Sequence, residues 1–256
     1  MNIKPEEKQI KYFFSDLDHT LIFSHRVTMP CEKRVVEILN GKNQSYMTEK
    51  AYSFFNTQNI VQFIPVTTRS KKQYKRISVL QESFPPQYAL ICNGGILLIN
   101  GIEDNEWSSE TQLLISNELI ALEHAKKTVQ RLATNISIHN VNDMFFYVKH
   151  DFPEQLSYHL KQELSLTTIQ ILYDTRKVYC LPSSLHKGVA IERFKKRFGA
   201  YYSIAAGDSI FDVPMLNAVD TALFPESIKH LIHTKDKISI RNPLLSEGIC
   251  EYLNTL

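Results

Sequence analysis

Two aspartates, Asp16 and Asp18, close an apolar run in the order Phe13-Phe14-Ser15-Asp16-Leu17-Asp18-His19-Thr20. In extended backbone alternate side chains share a face, so the two carboxylates point the same way. At the carboxyl end of a parallel strand they would face the crevice where open α/β sheets bind ligands. Taken alone, an Asp-x-Asp pair fits a turn or a helix cap equally well. A calcium loop does not fit, because Leu21 occupies the glycine position and Ser24, Val27 and Thr28 supply no bidentate glutamate.

Three other segments carry chemistry-capable residues. Phe63-Ile64-Pro65-Val66-Thr67-Thr68-Arg69-Ser70 is an apolar stretch ending in hydroxyls before a helix. Such a site can offer a hydroxyl and helix N-terminal amides to a phosphate, or it can be an ordinary N-cap. His186-Lys187-Gly188 opens a helix with a lysine at the end where the macrodipole disfavours a cation, which invites a functional explanation. Gly207-Asp208-Ser209-Ile210-Phe211-Asp212 follows the apolar run Ile204-Ala205-Ala206 and places two acids four apart at a helix start. They suit a metal site, or helix capping by one or both.

The elements that must position these residues alternate between strand and helix. Residues 10–14 read as a strand, 31–40 as a helix, 60–66 as a strand, 70–82 as a polar, basic helix and 88–92 as a strand. After Asn93-Gly94-Gly95 the pattern changes to α+β, with a hairpin strand at 96–100, a helix at 117–133 and a strand at 144–149. A helix at 153–164 and strands at 168–173 and 177–181, around Asp174-Thr175, complete this middle stretch. The buried alternation resumes with a helix at 186–198 and strands at 202–206 and 221–224, as a helix-covered parallel sheet requires. The simplest organisation is an α/β Rossmann-like core of residues 1–96 and 181–256 with an inserted α+β domain at 97–180.

Composition adds mainly exclusions. The 256 residues hold 29 basic and 27 acidic side chains, a formal net charge of +2, so no overall field selects nucleic acid or an anionic membrane as partner. Cys31, Cys92, Cys180 and Cys250 form no CxxC pair, which argues against a zinc ribbon or a disulfide framework. No uncharged run reaches the ~18 residues that a membrane span needs, so a cytoplasmic location is expected. Trp107 and the numerous Phe and Tyr residues are expected in the core, and the run 69–76 on a solvated helix face with Arg69 near the site.

In combination the four segments resemble the haloacid dehalogenase (HAD) superfamily, whose ordered motifs are a DxDx[TV] strand end, a strand-end Thr or Ser, a lysine and a GDxxxD-type acidic pair. The Asn93-Gly94-Gly95 turn, the 97–180 insertion and the Gly-Asp-Ser-x-x-Asp-x-Pro-Met-Leu form look like the branch with a C2-type cap. That branch includes sucrose-phosphate, trehalose-phosphate and mannosyl-3-phosphoglycerate phosphatases and the Cof-type hydrolases. This chain departs from the pattern at His19, where many members have glycine, and at Thr68, where the branch often has Thr-Gly-Arg. Both departures bear on substrate rather than on reaction class.

The resemblance implies a Mg2+-dependent phosphatase for a small phosphorylated metabolite, a sugar phosphate by preference. By it Asp16 is the nucleophile and Asp18 the general acid and base, with Lys187 neutralising charge. Asp16, the carbonyl of Asp18, Asp208 and Asp212 are the expected Mg2+ ligands, and Thr67, Thr68 and Lys187 the phosphate contacts. Asn93, Arg69 and Arg176 are expected on the substrate side, and Lys149 and His150 could join Arg176 in binding a second group. Two alternatives share these motifs: a phosphomutase-type transferase, and an inactive regulatory binder, which the intact acidic set disfavours.

Overall fold

The computed structural model describes residues 11–133, 136–164, 168–199 and 202–256; residue 10 of the first expected strand lies outside them. Five parallel strands form the central sheet in the order Asp236–Ile240, Thr221–Pro225, Tyr202–Ala206, Lys11–Ser15, Gln62–Pro65. From Lys11–Ser15 the chain crosses to Gln62–Pro65 on one side and later returns to Tyr202–Ala206 on the other. The carboxyl end of Lys11–Ser15 is therefore a topological switch point, where α/β sheets form ligand crevices.

Phe13 and Phe14 show why this strand is apolar throughout. With a two-residue period their rings enter opposite faces of the sheet. Phe13 packs with Phe55, Phe63 and Ile249 in one core layer, and Phe14 packs with Ile64, Ala205 and Phe194 in the other. Phe194 belongs to the helix Lys187–Phe198 and meets Phe14 edge-on at 5.4 Å between ring centroids. Trp107, on the helix Asn105–Ile115, is fully buried in that second layer. A parallel bridge between Val66 and Leu90 links the sheet to Tyr88–Ile91, which pairs antiparallel with Ile96–Ile99.

A separate antiparallel sheet runs in the order Ile169–Tyr173, Lys177–Pro182, Phe145–Lys149, Ile138–Val141. Helices Leu119–Leu132 and Pro153–Glu163 cover one face, burying Leu122, Leu156 and Leu160 against Phe146, Val178 and Cys180. Alternation then sends Tyr147, Lys177 and Tyr179 to the opposite face, toward the carboxyl end of the parallel sheet.

Two expectations are corrected. Residues 31–40 form no helix: Lys33–Leu39 is a strand that pairs antiparallel with Lys42–Thr48. Asn40 and Gly41 make the connection at φ 52° and 72°, the left-handed geometry of a two-residue hairpin turn. The helix expected over 70–82 is split into Lys71–Tyr74 and Val79–Glu82. Between them Ile77 bridges to Glu37, and the Ser78 amide donates to the Val36 carbonyl, so the hairpin takes hydrogen bonds that a continuous helix would keep. The strand Asp236–Ile240 and the helices Glu49–Thr57, Asn105–Ile115 and Leu245–Leu253 complete the principal elements. Among the described residues no helix is long and apolar enough to cross a membrane.

Candidate active site

Asp16 follows directly on the first strand, and its amide still donates to the Ala206 carbonyl of the neighbouring strand. Beyond it the chain turns sharply, with the Leu17 carbonyl accepting from the amides of Thr20, Leu21 and Ile22. His19 sits in this turn at φ 64°, a conformation that glycine adopts without cost. The glycine common at this position in the resembling family thus has a backbone reason, which His19 meets with strain.

Lys187 lies fully buried at the first turn of the helix Lys187–Phe198, capped by His186, whose Nδ1 accepts from the Val189 amide. Its Nζ donates to Asp16 Oδ1 at 2.5 Å and to Asp212 Oδ1 at 2.7 Å. The other oxygen of Asp212 accepts from the amides of Asp208 and Ser209 and from the Ser209 hydroxyl. Asp212 therefore both pairs with the lysine and shapes the loop that presents Asp208. Thr20 donates its hydroxyl toward Asp16 Oδ2 and Asp208 Oδ1, at 3.3 and 3.1 Å.

Carboxylate oxygens of Asp16, Asp208 and Asp212 lie within 4.8 Å of one another. Burial raises the Asp16 carboxyl to about 7, with Asp212 and Asp18 adding to the rise and Lys187 opposing it. Burial likewise raises Asp208 to about 8, reinforced by Asp212 and Asp16. Three acids facing one lysine leave excess negative charge, and an all-oxygen donor set of this kind suits a hard divalent cation.

Asp18 has a different environment. Arg69 grips it through Nε and Nη2, both at 2.7 Å. Desolvation pushes the Asp18 carboxyl up, and the Arg69 charge and hydrogen bonds outweigh it, so the group lies below the ordinary carboxylate range. Arg69 also donates to the buried Glu37, which accepts in addition from Arg76 and Ser45. The hairpin that carries Glu37 and Ser45 thus forms one wall of the site. The motifs do not point to this wall, although the Asn40-Gly41 turn marks the hairpin.

A cavity of ≈ 660 Å³ opens between Asp16 and the antiparallel sheet. Asp16, Asp18, Thr68, Arg69, Lys187, Asp208 and Asp212 all line it, so segments far apart in the chain converge. Thr67, Asn93, Arg176, Lys149 and His150 are not in its wall. Thr67 is buried behind Thr68, its hydroxyl accepting from the Arg69 amide and its carbonyl from the Asn93 amide. Asn93 braces Leu185 through Nδ2 at 2.8 Å. Arg176 is exposed in the turn after Tyr173, and it is Lys177, one residue on, that faces the cavity with Tyr147 and Tyr179.

No family model matches the chain, and no curated protein matches it in sequence. Solved structures match it in fold over nearly its whole length. The sucrose-phosphatase of Synechocystis sp. PCC6803, solved with sucrose and phosphate, superposes with a TM-score of 0.62 at 13% identity, covering 96% of this chain and 97% of that one. A sugar phosphatase of HAD subclass IIB gives 0.60 at 13% identity, covering 96% and 98%. The trehalose-6-phosphate phosphatase of Aspergillus fumigatus gives 0.54 at 11% identity, covering 97% and 94%. The chain therefore shares the fold of these solved phosphatases over nearly its whole length.

Proposed function

We propose that this protein is a Mg2+-dependent phosphatase that hydrolyses a small phosphorylated metabolite of sugar size through an aspartyl-phosphate intermediate. The observation that carries the reading is the buried cluster of Asp16, Asp208 and Asp212 around Lys187, set at the switch point of a sheet whose fold matches sugar phosphatases.

In this mechanism an oxygen of Asp16 attacks phosphorus while the bond from phosphorus to the alcohol oxygen breaks. Asp18, ionised while Arg69 holds it, must first leave that pairing and take up a proton from solvent, which it then gives to the leaving oxygen. A water then attacks the acyl phosphate and passes a proton to Asp18. The bond from Asp16 to phosphorus breaks, releasing inorganic phosphate and the free carboxylate. Lys187 offsets the charge of Asp16 and of the phosphoryl oxygens. Thr68, in the cavity wall beyond the strand Gln62–Pro65, is the hydroxyl placed for phosphate contact, while Thr67 behind it holds the Arg69 amide. Asp16, Asp208, the Asp18 carbonyl and Asp212 would hold Mg2+, which when bound supplies positive charge to the phosphoryl group. Two like charges 4 Å apart repel by roughly 4 kcal/mol at an effective dielectric near 20, so the acids need such compensation.

The antiparallel sheet with helices Leu119–Leu132 and Pro153–Glu163 acts in this reading as the cap that selects the alcohol. Phosphate release from a panel of phosphorylated sugars and hydroxy acids, with Mg2+ and with excess chelator, tests the proposal. Turnover confined to Mg2+ is expected, together with a melting temperature that rises on adding Mg2+. Full turnover in chelator would overturn it.

A further inference from the structure

We propose that the cavity binds a second anionic group on the alcohol portion of the phosphate ester, between the antiparallel sheet and the hairpin wall, through Arg76 and Lys177. The inference rests on the phosphatase reading and narrows its substrate to phosphate esters that also carry a carboxylate or a second phosphate.

The acids Asp18, Glu37 and Asp174 that line this region already have protein partners. Both oxygens of Asp18 accept from Arg69. Both oxygens of Glu37 are taken, one by Arg76 and the other by Arg69 and Ser45. Asp174 accepts the Arg176 and Lys177 amides on one oxygen and the Tyr179 hydroxyl on the other. Each of these acids therefore already holds at least one donor on both oxygens.

The donors are in the opposite condition. Arg76 turns Nε and Nη2 to Glu37, and Nη1 has no protein partner among the described residues. Lys177 Nζ donates only to the Tyr179 hydroxyl, at 3.2 Å, and keeps two protons for a ligand. The two cations come from different walls, Arg76 from between two short helices and Lys177 from the start of the strand Lys177–Pro182. They meet around Tyr147: Lys177 Nζ lies 4.9 Å from its ring centroid. Burial raises the Tyr147 hydroxyl, and the nearby Arg76 charge works against that rise.

A region whose acids already hold donors and whose charged donors are open suits a group that only accepts. Carboxylate and phosphate are such groups, and charge-assisted bonds from arginine and lysine are the strong ones. A neutral polyol would draw only ordinary hydrogen bonds from the open Arg76 Nη1 and Lys177 Nζ. The Arg76 side chain is 27% exposed, so its field is screened less than that of a surface residue.

The test uses matched alkyl phosphates of two to six carbons, ending in hydroxyl, carboxylate or a second phosphate, so that the leaving oxygen stays the same. At one chain length an anionic ester should exceed the hydroxyl ester in kcat/KM by ~10-fold or more, mainly through KM. The carboxylate and bisphosphate arms identify which anion fits. Arg76→Gln and Lys177→Gln should each bring that ratio toward 1, and Lys177→Arg should restore part of it. Lys177→Gln removes a single protein hydrogen bond, so it carries the test should Arg76→Gln not fold. Equal rates for hydroxyl and anionic esters at every length, or a preference that survives both substitutions, would overturn the subsite alone. A wild-type protein that hydrolyses none of the esters in Mg2+ would overturn the phosphatase reading and this subsite with it.

Discussion

Lys187 Nζ lies 2.5 Å from Asp16 Oδ1, although 171 positions separate the two residues in the chain. The contact joins the first strand of the parallel sheet to the helix that follows the antiparallel one. Lys187 is also the cation that reaches Asp212, so it compensates two buried acids at once. Burial works against its charge, and the two carboxylates more than reverse that, holding its pKa above the ordinary lysine value. Lys187→Met should therefore act on both stability and activity. In chelator the variant should lose about 3–5 kcal/mol of stability, the usual cost of leaving buried charge without a partner. Phosphate release should fall by ~10²–10³. Chemical denaturation with and without Mg2+ reads the first effect, and a variant as stable as wild type in chelator would remove Lys187 from the charge balance.

Gly207 is needed for space. A Cβ at this position would lie 2.3 Å from Asp212 Cβ and 2.6 Å from its Cγ, closer than non-bonded carbons approach. Gly207→Ala must push Asp212 away from the Asp208 and Ser209 amides that it accepts. A displacement near 1 Å in a positioned site can cost on the order of 100-fold in rate, and a loss of that order in kcat is expected here. Gly101→Ala is the control. Gly101 has φ 77° and no atom within 4 Å of an added Cβ, so it should lose about 1–2 kcal/mol of stability from left-handed backbone and little activity. Equal activity losses in the two variants would refute the steric argument.

Glu37 ties the hairpin to Arg69 and Arg76, and its contribution should depend on pH. Burial pushes its carboxyl up, but Arg69, Ser45 and Arg76 together hold it below its ordinary value of 4.5. The folded state thus binds that proton less readily than the unfolded one. The resulting stability is fully present above the ordinary value and is lost as pH falls through the lower, folded value. Glu37→Gln should cost about 2–3 kcal/mol at pH 7, the scale of hydrogen bonds to charged groups. The gap to wild type should narrow below about pH 4. A gap that stays constant from pH 7 to pH 3 would show that the carboxylate charge is not what holds the hairpin.

The site was legible wherever chemistry and strand end coincide. Asp16, Asp18, Lys187, Asp208 and Asp212 all face the cavity because each lies where a strand stops or a helix starts. The parallel core was legible for the same reason as Phe13 and Phe14, since strands buried on both faces must be apolar throughout. The hairpin was not, because 31–40 mixes charged and apolar residues at a spacing that also suits a helix. Only the left-handed Asn40-Gly41 turn separates the two readings. Missing the hairpin hid Glu37, Ser45 and the role of Arg76, none of which belongs to a motif. Arg176 and Lys177 differ by one residue, and the two-residue strand period decides which faces the cavity. That phase is set by where the strand begins, and the residue types on either side do not reveal it.

The last prediction separates Asp16 from Asp18, which share a residue type and a loop but not an environment. Asp16 is buried beside Lys187, with its carboxyl raised to about 7. Asp18 is paired with Arg69 and lies below the ordinary range. In the proposed mechanism Asp16→Asn removes the nucleophile, so no phosphoenzyme should form with any substrate. Asp18→Asn removes proton donation to the alcohol and proton acceptance from water. Alkyl phosphate turnover should fall by ~10²–10⁴, the usual weight of general acid–base catalysis. An activated aryl phosphate needs no proton on its leaving group, so Asp18→Asn should still be phosphorylated by it and should release phosphate slowly. Mass spectrometry of quenched protein compares the two directly. An adduct in Asp16→Asn, or one mapped to a residue other than Asp16 in Asp18→Asn, would overturn the assignment of the nucleophile.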